Sequence, residues 1–162
     1  MELLFRQRMF SWFDSYDVTD EYGDVAYTVK GVLGWGHKFK IYDADRRCVG
    51  MVKEKKITLM PKFVIYENGH KEGKLRKKVT MFRPSFKLDF RGWDIDGDLW
   101  EWNWRIEDRR GRTVMRARKK LMRLTDTYVL DIADPADALH CLMVVVAIDA
   151  AQCSEEHEEN DE

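Results

Sequence analysis

The fold is decided near the C-terminus, by the stretch Asp134-Pro-Ala-Asp-Ala-Leu-His-Cys-Leu-Met-Val-Val-Val-Ala-Ile-Asp-Ala-Ala151. Asp134 is suited to cap a helix, Pro135 is tolerated at its first position, and Asp137 suits the positive end of the helix dipole. We therefore predict a helix from Pro135 to about Cys153, although a short run of valines can also form a buried strand. The helix is apolar on nearly every side, so other elements have to enclose it.

On the N-terminal side of this helix, one phrase recurs at intervals of roughly 24 residues. It consists of a short strand that begins with an aromatic residue, a polar turn, and a second strand that often becomes basic. An aromatic residue and an aliphatic residue two positions later lie on the same face of a strand, where both can pack into a core. The units begin at Phe13, Phe39, Phe63, Phe86, Trp104 and Tyr128.

The turns between these strands have hairpin chemistry, most clearly at Asn68-Gly69, because both residues tolerate the positive φ angles of a tight turn. With an N-terminal strand Leu3 to Phe10, the chain has about eleven or twelve strands, and a barrel removes their exposed edges. We predict a mainly β fold, a closed and roughly twelve-stranded antiparallel barrel wrapped around one central hydrophobic C-terminal helix. Residues 1–153 form one domain, and residues 154–162 form an acidic disordered tail.

Composition supports a globular domain, since 44% of the 162 residues are hydrophobic, 35% are charged and only three are proline. Removing the six carboxylates of the tail from a net charge of −1 leaves a body of about +5, which is below the basic footprint of a nucleic-acid binder. Three scattered cysteines and no secretory signal favour the cytoplasm, with peripheral membrane attachment as an alternative. We expect no membrane span, because the apolar run 138–151 is short and contains Asp149.

Several short phrases occur along the chain: Phe10-Ser-Trp12, Asp17-Val-Thr-Asp20, Gly36-His-Lys38, Lys62-Phe-Val-Ile-Tyr66, Asp126-Thr-Tyr128 and Ala147-Ile-Asp149. With the meander and the apolar helix, they resemble the LURP-one-related family over nearly the whole chain. The resemblance implies the Tubby C-terminal-like fold, a twelve-stranded barrel around a central hydrophobic helix, which is structurally similar to Tubby proteins and phospholipid scramblases. The phosphoinositide-binding motif of Tubby proteins has no match here residue by residue, so no lipid-site residue follows from the resemblance.

The basic second strands are the most suggestive feature for function. If neighbouring strands align them, they form one cationic patch that attracts anionic lipid, and acidic neighbours such as Glu54 weaken it. The alternative is that these side chains keep the outer faces soluble and protect strand edges. The candidate anion- or lipid-binding residues are Lys53, Lys55, Lys74, Arg76, Lys78, Arg116, Arg118 and Lys120.

Two further sets of residues recur at every second position, and each set can be interpreted in two ways. One set consists of Trp100, Trp102 and Trp104, which fall on one strand face. This alternation favours a position in the core over one at a lipid boundary. Trp12 and Trp35 are further candidates for a lipid boundary. The second set consists of the aspartates at positions 94, 96 and 98, which could hold calcium. A solvated acidic face is favoured, because an EF-hand loop needs a longer pattern that ends in Glu.

Catalytic and metal-binding signatures are missing from the sequence. No HExxH, paired-cysteine or Gly-x-Ser-x-Gly pattern occurs, so we expect no enzyme, no metal and no cofactor. His140 and Cys141 are expected to pack in the core. Asp149 is expected to tether the helix end to a barrel strand, with a proton-handling role as the alternative.

Two classes of function remain open. The first is a non-enzymatic binding domain that engages anionic phospholipid or a phosphorylated ligand through a basic barrel face. The second is a protein-interaction or scaffold domain without lipid binding, in which the acidic tail and aromatic loops contact the partner. The expected partners are thus an anionic membrane surface or an acidic protein, and nucleic acid is not expected; the sequence does not define the oligomeric state.

Overall fold

The structure, a computed structural model, describes residues 1–6, 15–33, 36–55, 62–78, 80, 85–120 and 127–158. These residues form twelve β-strands, one short 3-10 turn and one α-helix. The strands are β1 Glu2–Arg6, β2 Ser15–Asp20, β3 Val25–Gly31, β4 Lys38–Asp43, β5 Cys48–Glu54, β6 Lys62–Glu67, β7 His70–Lys78, β8 Ser85–Asp89, β9 Asp94–Asp98, β10 Asn103–Glu107, β11 Thr113–Lys120 and β12 Thr127–Ile132; the turn Pro135–Asp137 leads into α1 Ala138–Glu158.

All twelve strands belong to one antiparallel sheet, in which consecutive strands pair except β8 with β9, and β1 also pairs with β12. The sheet order ends at β8 and β9, which lie side by side without a hydrogen-bonded ladder between them. A four-residue turn joins them, with the Trp93 amide donating to the Phe90 carbonyl at 3.0 Å and positive φ angles at Arg91 and Gly92. The prediction of a mainly β, twelve-stranded barrel is confirmed, and the barrel is nearly closed.

The helix begins as predicted and is enclosed by the barrel. The side chain of Asp134 accepts a hydrogen bond from the Ala136 amide at 3.0 Å, which satisfies one of the amides left open at a helix start. The helix packs against β5, β6 and β7. Close approach to β5 requires Gly50, because a Cβ there would lie 2.9 Å from Met143 Sδ.

The helix is longer than predicted, since it continues to Glu158 rather than ending near Cys153. The proposed boundary between a 1–153 domain and a disordered 154–162 tail therefore falls inside a helix, and residues 159–162 lie outside the described residues. The window Pro135–Gln152 is long and apolar enough to cross a membrane, contrary to our expectation from length, but 72% of it is buried inside the barrel. Burial of this kind is typical of a core helix.

The predicted row of three tryptophans is interrupted by a turn. We expected the three on one strand face, but β9 ends at Asp98 and residues 99–102 form the turn to β10. Trp102 has a positive φ of 52° and is buried, as is Trp104. Trp100 points outward and is 55% exposed, so the expectation that all three line the core is wrong for Trp100. Of the predicted N-terminal strand, β1 covers Leu3 to Arg6, and residues 7–14 lie outside the described residues.

Because the strands alternate in direction, their connections fall at two opposite ends of the barrel. One end, which we call the acidic end, carries the turns β2–β3, β4–β5, β6–β7, β8–β9 and β10–β11 and the start of α1. Asp20, Asp43 and Asp108 each accept backbone amide hydrogen bonds of 2.8 to 3.0 Å across the turn that follows them. These amide bonds, the first of them from Arg112, lower the pKa of the Asp108 carboxyl.

At the opposite end, which we call the basic end, β5 ends and β6 begins, and β7 and β11 end. The strand ends here carry Lys38, Lys55, Lys62, Lys78 and Lys120. The helix runs from the acidic end to the basic end, a length of about 30 Å at about 1.5 Å per residue. The turns of the acidic end also carry arginines, so the two ends differ chiefly by the lysines gathered at the strand ends of the basic end. These arginines are Arg46, Arg47, Arg91, Arg109, Arg110 and Arg112.

Candidate functional site

Outward side chains of β4 to β8 form one cationic surface, which we call the basic face. Inward positions of these strands pack on the core, so the alternate positions point to the outside. The surface extends over five adjacent strands and has two rows of opposed outward positions. Lys40 lies beyond these rows toward the acidic end, and Lys78 lies beyond them toward the basic end. Its members are Lys38, Lys40, Lys53, Lys55, Lys62, Lys74, Arg76, Lys78 and Lys87.

The strand register brings these cations together. In the first row, Lys38 is opposite Lys53, and Val64 lies between Lys53 and Lys74. In the second row, Arg76 lies between Lys62 on one side and Lys87 on the other. The ladder extends one residue beyond β5, where the Lys55 amide donates to the Lys62 carbonyl at 2.8 Å. Cations on directly opposed positions repel one another unless an anion lies over them.

Asp89 supplies a carboxylate at the edge of this face, 3.1 Å from the Lys74 ammonium. The hydrogen bond from Lys74 and its charge lower the pKa of the Asp89 carboxyl, with smaller contributions from Arg76 and Lys87. The pair is exposed, so it contributes little to stability. Its main effect is to neutralise one cation at the end of the face that is furthest from the basic end.

Glu54, which we expected to weaken the patch, does not lie on it. Its side chain points inward and is buried with His37, whose Nδ1 is 2.7 Å from Glu54 Oε2. The same oxygen accepts the His37 backbone amide at 2.9 Å, and the Glu54 amide donates to the His37 carbonyl at 2.7 Å. This expectation is wrong because Glu54 alternates with Lys53 and Lys55 along the strand and so faces the opposite side of the sheet.

The eight candidate residues do not form one patch. Lys53, Lys55, Lys74, Arg76 and Lys78 belong to the basic face, but Arg116, Arg118 and Lys120 lie on β11, three strands beyond β8 in the barrel. Their surroundings also differ in charge. Arg118 pairs with Glu2, and Arg116 lies between Asp131 and Arg105 in the register.

The row on β9 to β12 is neutralised by its own carboxylates. Arg105 binds Asp96 at 2.7 Å and Glu107 at 2.6 Å, and these contacts raise the pKa of its guanidinium. The two Asp98 hydrogen bonds, to the amides of Trp100 and Glu101 at 3.0 and 3.1 Å, hold the turn. The aspartate row is thus a charge-paired outer face, which agrees with the solvated interpretation.

Four members of the basic face were missed by sequence reasoning, namely Lys38, Lys40, Lys62 and Lys87. The prediction considered only the second strand of each repeat unit. These lysines lie mostly on first strands, where they alternate with buried aromatic and aliphatic residues. That alternation was a usable signal, because it assigns each lysine to the outer face. The aromatic candidates Trp12 and Trp35 lie outside the described residues.

Several polar side chains are buried among the core residues. His140 and Cys141 pack in the core as predicted, and His140 Nε2 lies 2.9 Å from Glu67 Oε2 on β6. Burial raises the pKa of the Cys141 thiol, so it stays protonated and unreactive. Among the described residues, no group of three or more His, Cys, Asp or Glu side chains is placed to hold a metal ion.

Asp149 is buried on the helix, near Tyr16 of β2. Burial, followed by the charge of Asp149, raises the pKa of the Tyr16 phenol well above its usual value. Because the two residues belong to the helix and to the barrel wall, their proximity supports the interpretation that Asp149 links the helix to a strand.

A cavity of about 700 Å³, lined in part by Tyr16, opens where β1 and β2 separate. Only Leu3 and Leu4 of β1 pair with β2, whereas all five β1 residues pair with β12. Lys120 and Thr127 line one part of the cavity, and a carboxylate-rich turn lines another. The cavity is two strands away from the basic face and shares none of its described residues.

The barrel and its enclosed helix define a class of protein that wraps one meandering sheet around a hydrophobic core helix. Within that class, the chain belongs to the LURP-one-related family, whose model matches residues 1–149. It is 29% identical over 160 residues to "Uncharacterized protein YxjI" of Bacillus subtilis (strain 168), a match that covers 98% of each chain. No solved structure matches the chain. Neither the family description nor the name of that relative contains an enzymatic activity.

Proposed function

We propose that this protein is a non-enzymatic binding domain whose basic face engages anionic phospholipid. The observation that carries the proposal is the register of β4 to β8, which gathers nine Lys and Arg side chains on the outer face of adjacent strands, seven of them in two opposed rows. In a barrel that needs only solubility, cations and carboxylates are expected to alternate, as they do on β9 to β12. The proposal implies reversible, peripheral attachment to a membrane.

The strength of the interaction follows from the electrostatics of a charged surface. A Lys or Arg near an anionic bilayer gains about 1 kcal/mol, and the gain falls off within a Debye length of about 8 Å at physiological salt. Several cations must therefore act together, and the basic face provides them.

Co-sedimentation with vesicles tests the proposal. The purified protein is mixed with phosphatidylcholine vesicles, or with vesicles that also contain phosphatidylserine, at low and at physiological salt. The variant Lys53→Glu/Arg76→Glu is expected to bind the anionic vesicles about thirtyfold more weakly or worse, because two lost cations remove about 2 kcal/mol before any repulsion is counted. Its matched control on β11, Arg116→Glu/Arg118→Glu, changes the total charge equally but leaves the basic face and the basic end intact.

The pattern of loss decides the outcome. Equal weakening by both variants would show that only net charge matters, and greater weakening by the control would assign binding to β11; either result contradicts the basic face. Binding of wild-type protein to neutral vesicles as strongly as to anionic ones would also contradict it. Absence of vesicle binding at both salt concentrations would favour the protein-interaction alternative.

A free phosphorylated ligand offers the same chemistry as a lipid headgroup. Calorimetry with inorganic pyrophosphate separates the two sources, because a headgroup site in a bilayer gains from many weak contacts that one soluble anion does not make. If pyrophosphate binds wild type tightly, fails to bind Lys53→Glu/Arg76→Glu, and vesicles do not bind at all, the ligand is a soluble phosphate and the lipid proposal is wrong.

A further inference from the structure

Exposed apolar side chains are found at both ends of the barrel. Leu33, in the connection between β3 and β4, is 77% exposed, and Trp100, in the turn between β9 and β10, is 55% exposed. Both connections lie at the basic end. Tyr22, which is 84% exposed, and Val25 lie at the acidic end.

Leu33 and Trp100 flank the basic face. The face extends from β4 to β8; Leu33 immediately precedes β4, and Trp100 follows β9, the strand next to β8 across the unpaired seam. The strand ends between them carry Lys38, Lys55, Lys62 and Lys78.

The Trp100 turn is held by hydrogen bonds, so its ring is presented on a fixed backbone. The Trp100 amide donates to Asp98 Oδ1 at 3.0 Å. Trp102 closes the turn with a buried ring, whose centroid lies 4.3 Å from the centroid of the Tyr128 ring. An indole ring is favoured at the boundary between water and lipid, where its apolar body and its N–H group are both satisfied. Leucine gains by leaving water for the acyl region.

Resting on the function proposed above, we propose that the bilayer meets the barrel obliquely at the basic end, with Leu33 and Trp100 inserted on either side of the basic face. In this orientation the lysines of the strand ends reach the headgroups while the two apolar side chains enter the interface. The acidic end, where Asp20, Asp43 and Asp108 accept the amides of three turns, points away from the anionic surface. Attachment in the reverse orientation would bring Tyr22 to the membrane instead.

Single alanine substitutions test the orientation. Leu33→Ala and Trp100→Ala are each expected to weaken binding to vesicles of phosphatidylcholine and phosphatidylserine about tenfold, because each removes an inserted apolar side chain. Tyr22→Ala is the matched control, since it removes an even more exposed aromatic side chain from the opposite end. It is expected to bind as wild type does. Urea denaturation of each variant checks that the fold is retained.

Quenching by brominated lipid provides a second measurement that does not depend on affinity. Trp93, Trp102 and Trp104 are buried, so lipid-borne bromine does not reach them. The fluorescence that wild type loses on brominated anionic vesicles, but Trp100→Phe does not lose, reports insertion of Trp100. We expect a clear difference between the two proteins.

The orientation and the function fail in different ways. If Lys53→Glu/Arg76→Glu loses vesicle binding while Leu33→Ala, Trp100→Ala and Tyr22→Ala all bind like wild type, the basic face binds lipid but the proposed orientation is wrong. If Tyr22→Ala weakens binding most, the barrel attaches by its acidic end, and this result also contradicts the proposed orientation. If wild type binds no vesicle, the proposed function fails and the orientation fails with it.

Discussion

Val145 lies at the middle of the enclosed helix, and its replacement by aspartate tests whether the barrel truly surrounds that helix. The side chain is 1% exposed, and the residues one turn away in each direction, Cys141 and Asp149, are buried too. The first cost of Val145→Asp is the lost burial of a valine side chain, about 2 kcal/mol. The second is the cost of an acid in an apolar site that already contains a carboxylate one turn away.

That second cost has a lower limit set by protonation. A buried carboxyl stays neutral because burial raises its pKa, and keeping it protonated at pH 7, about 3 units above its usual pKa, costs about 4 kcal/mol. The total of about 6 kcal/mol is comparable to the whole free energy of unfolding of many domains, roughly 5–15 kcal/mol. We therefore expect Val145→Asp to be unfolded or barely folded at pH 7.

The assay is urea denaturation monitored by the fluorescence of the buried tryptophans at pH 7 and at pH 4.5. The introduced carboxyl has a raised pKa in the folded state, so its penalty is small below about pH 4 and grows as the pH rises toward that folded-state pKa. Val25→Asp is the control, because Val25 is 43% exposed and an exposed substitution changes stability by less than about 0.5 kcal/mol. A soluble Val145→Asp variant with the melting temperature of wild type would refute the enclosed helix.

Two smaller predictions concern the barrel wall and the core thiol. Gly73→Ala is expected to lower the free energy of unfolding by about 1–3 kcal/mol, because the new Cβ would lie 2.6 Å from the Asp89 carbonyl oxygen; unchanged stability in urea would contradict this close strand contact. In a Cys153→Ser background at pH 8, Cys48 is expected to react quickly with a thiol reagent and Cys141 only as fast as the protein unfolds, since burial raises the Cys141 pKa and hinders access. Rapid modification of two thiols in the folded protein would show that the core opens.

The architecture could be predicted because its signals are local. The Asp134 cap, the proline at the helix start and the all-round apolar helix are contiguous in sequence, and so are the hairpin turns such as Asn68-Gly69, where both φ angles are positive. Each signal acts within a few residues, and a meander needs little more, since consecutive strands pair with each other. The end of the helix was misplaced because acidic residues past Ala151 remain compatible with helix, with no glycine or proline to end it.

The site could be predicted only in part, because it depends on which strands become neighbours around the barrel. Lys53 and Arg76 were correctly placed on outer faces by alternation, but their proximity depends on the intervening β6 and its register. Arg116 has the same sequence character as Arg76, yet the barrel places it beside Asp131. A propensity argument does not distinguish the two, since charge pairing across strands is a long-range property of the fold.

The difference in charge between the two ends of the barrel has a local cause on the acidic side, in the chemistry of the turns. A tight hairpin turn favours aspartate, whose carboxylate accepts the amides of the turn, as Asp20, Asp43 and Asp108 do. Because the strands alternate in direction, all five of these tight turns fall at one end, and the three capping aspartates collect there as a consequence of turn chemistry. Turn chemistry of this kind does not require lysines at the strand ends of the opposite end. Their accumulation beside the exposed Leu33 and Trp100 is therefore the part of the charge pattern that calls for a functional explanation, and an anionic bilayer matches both its charge and its apolar side chains.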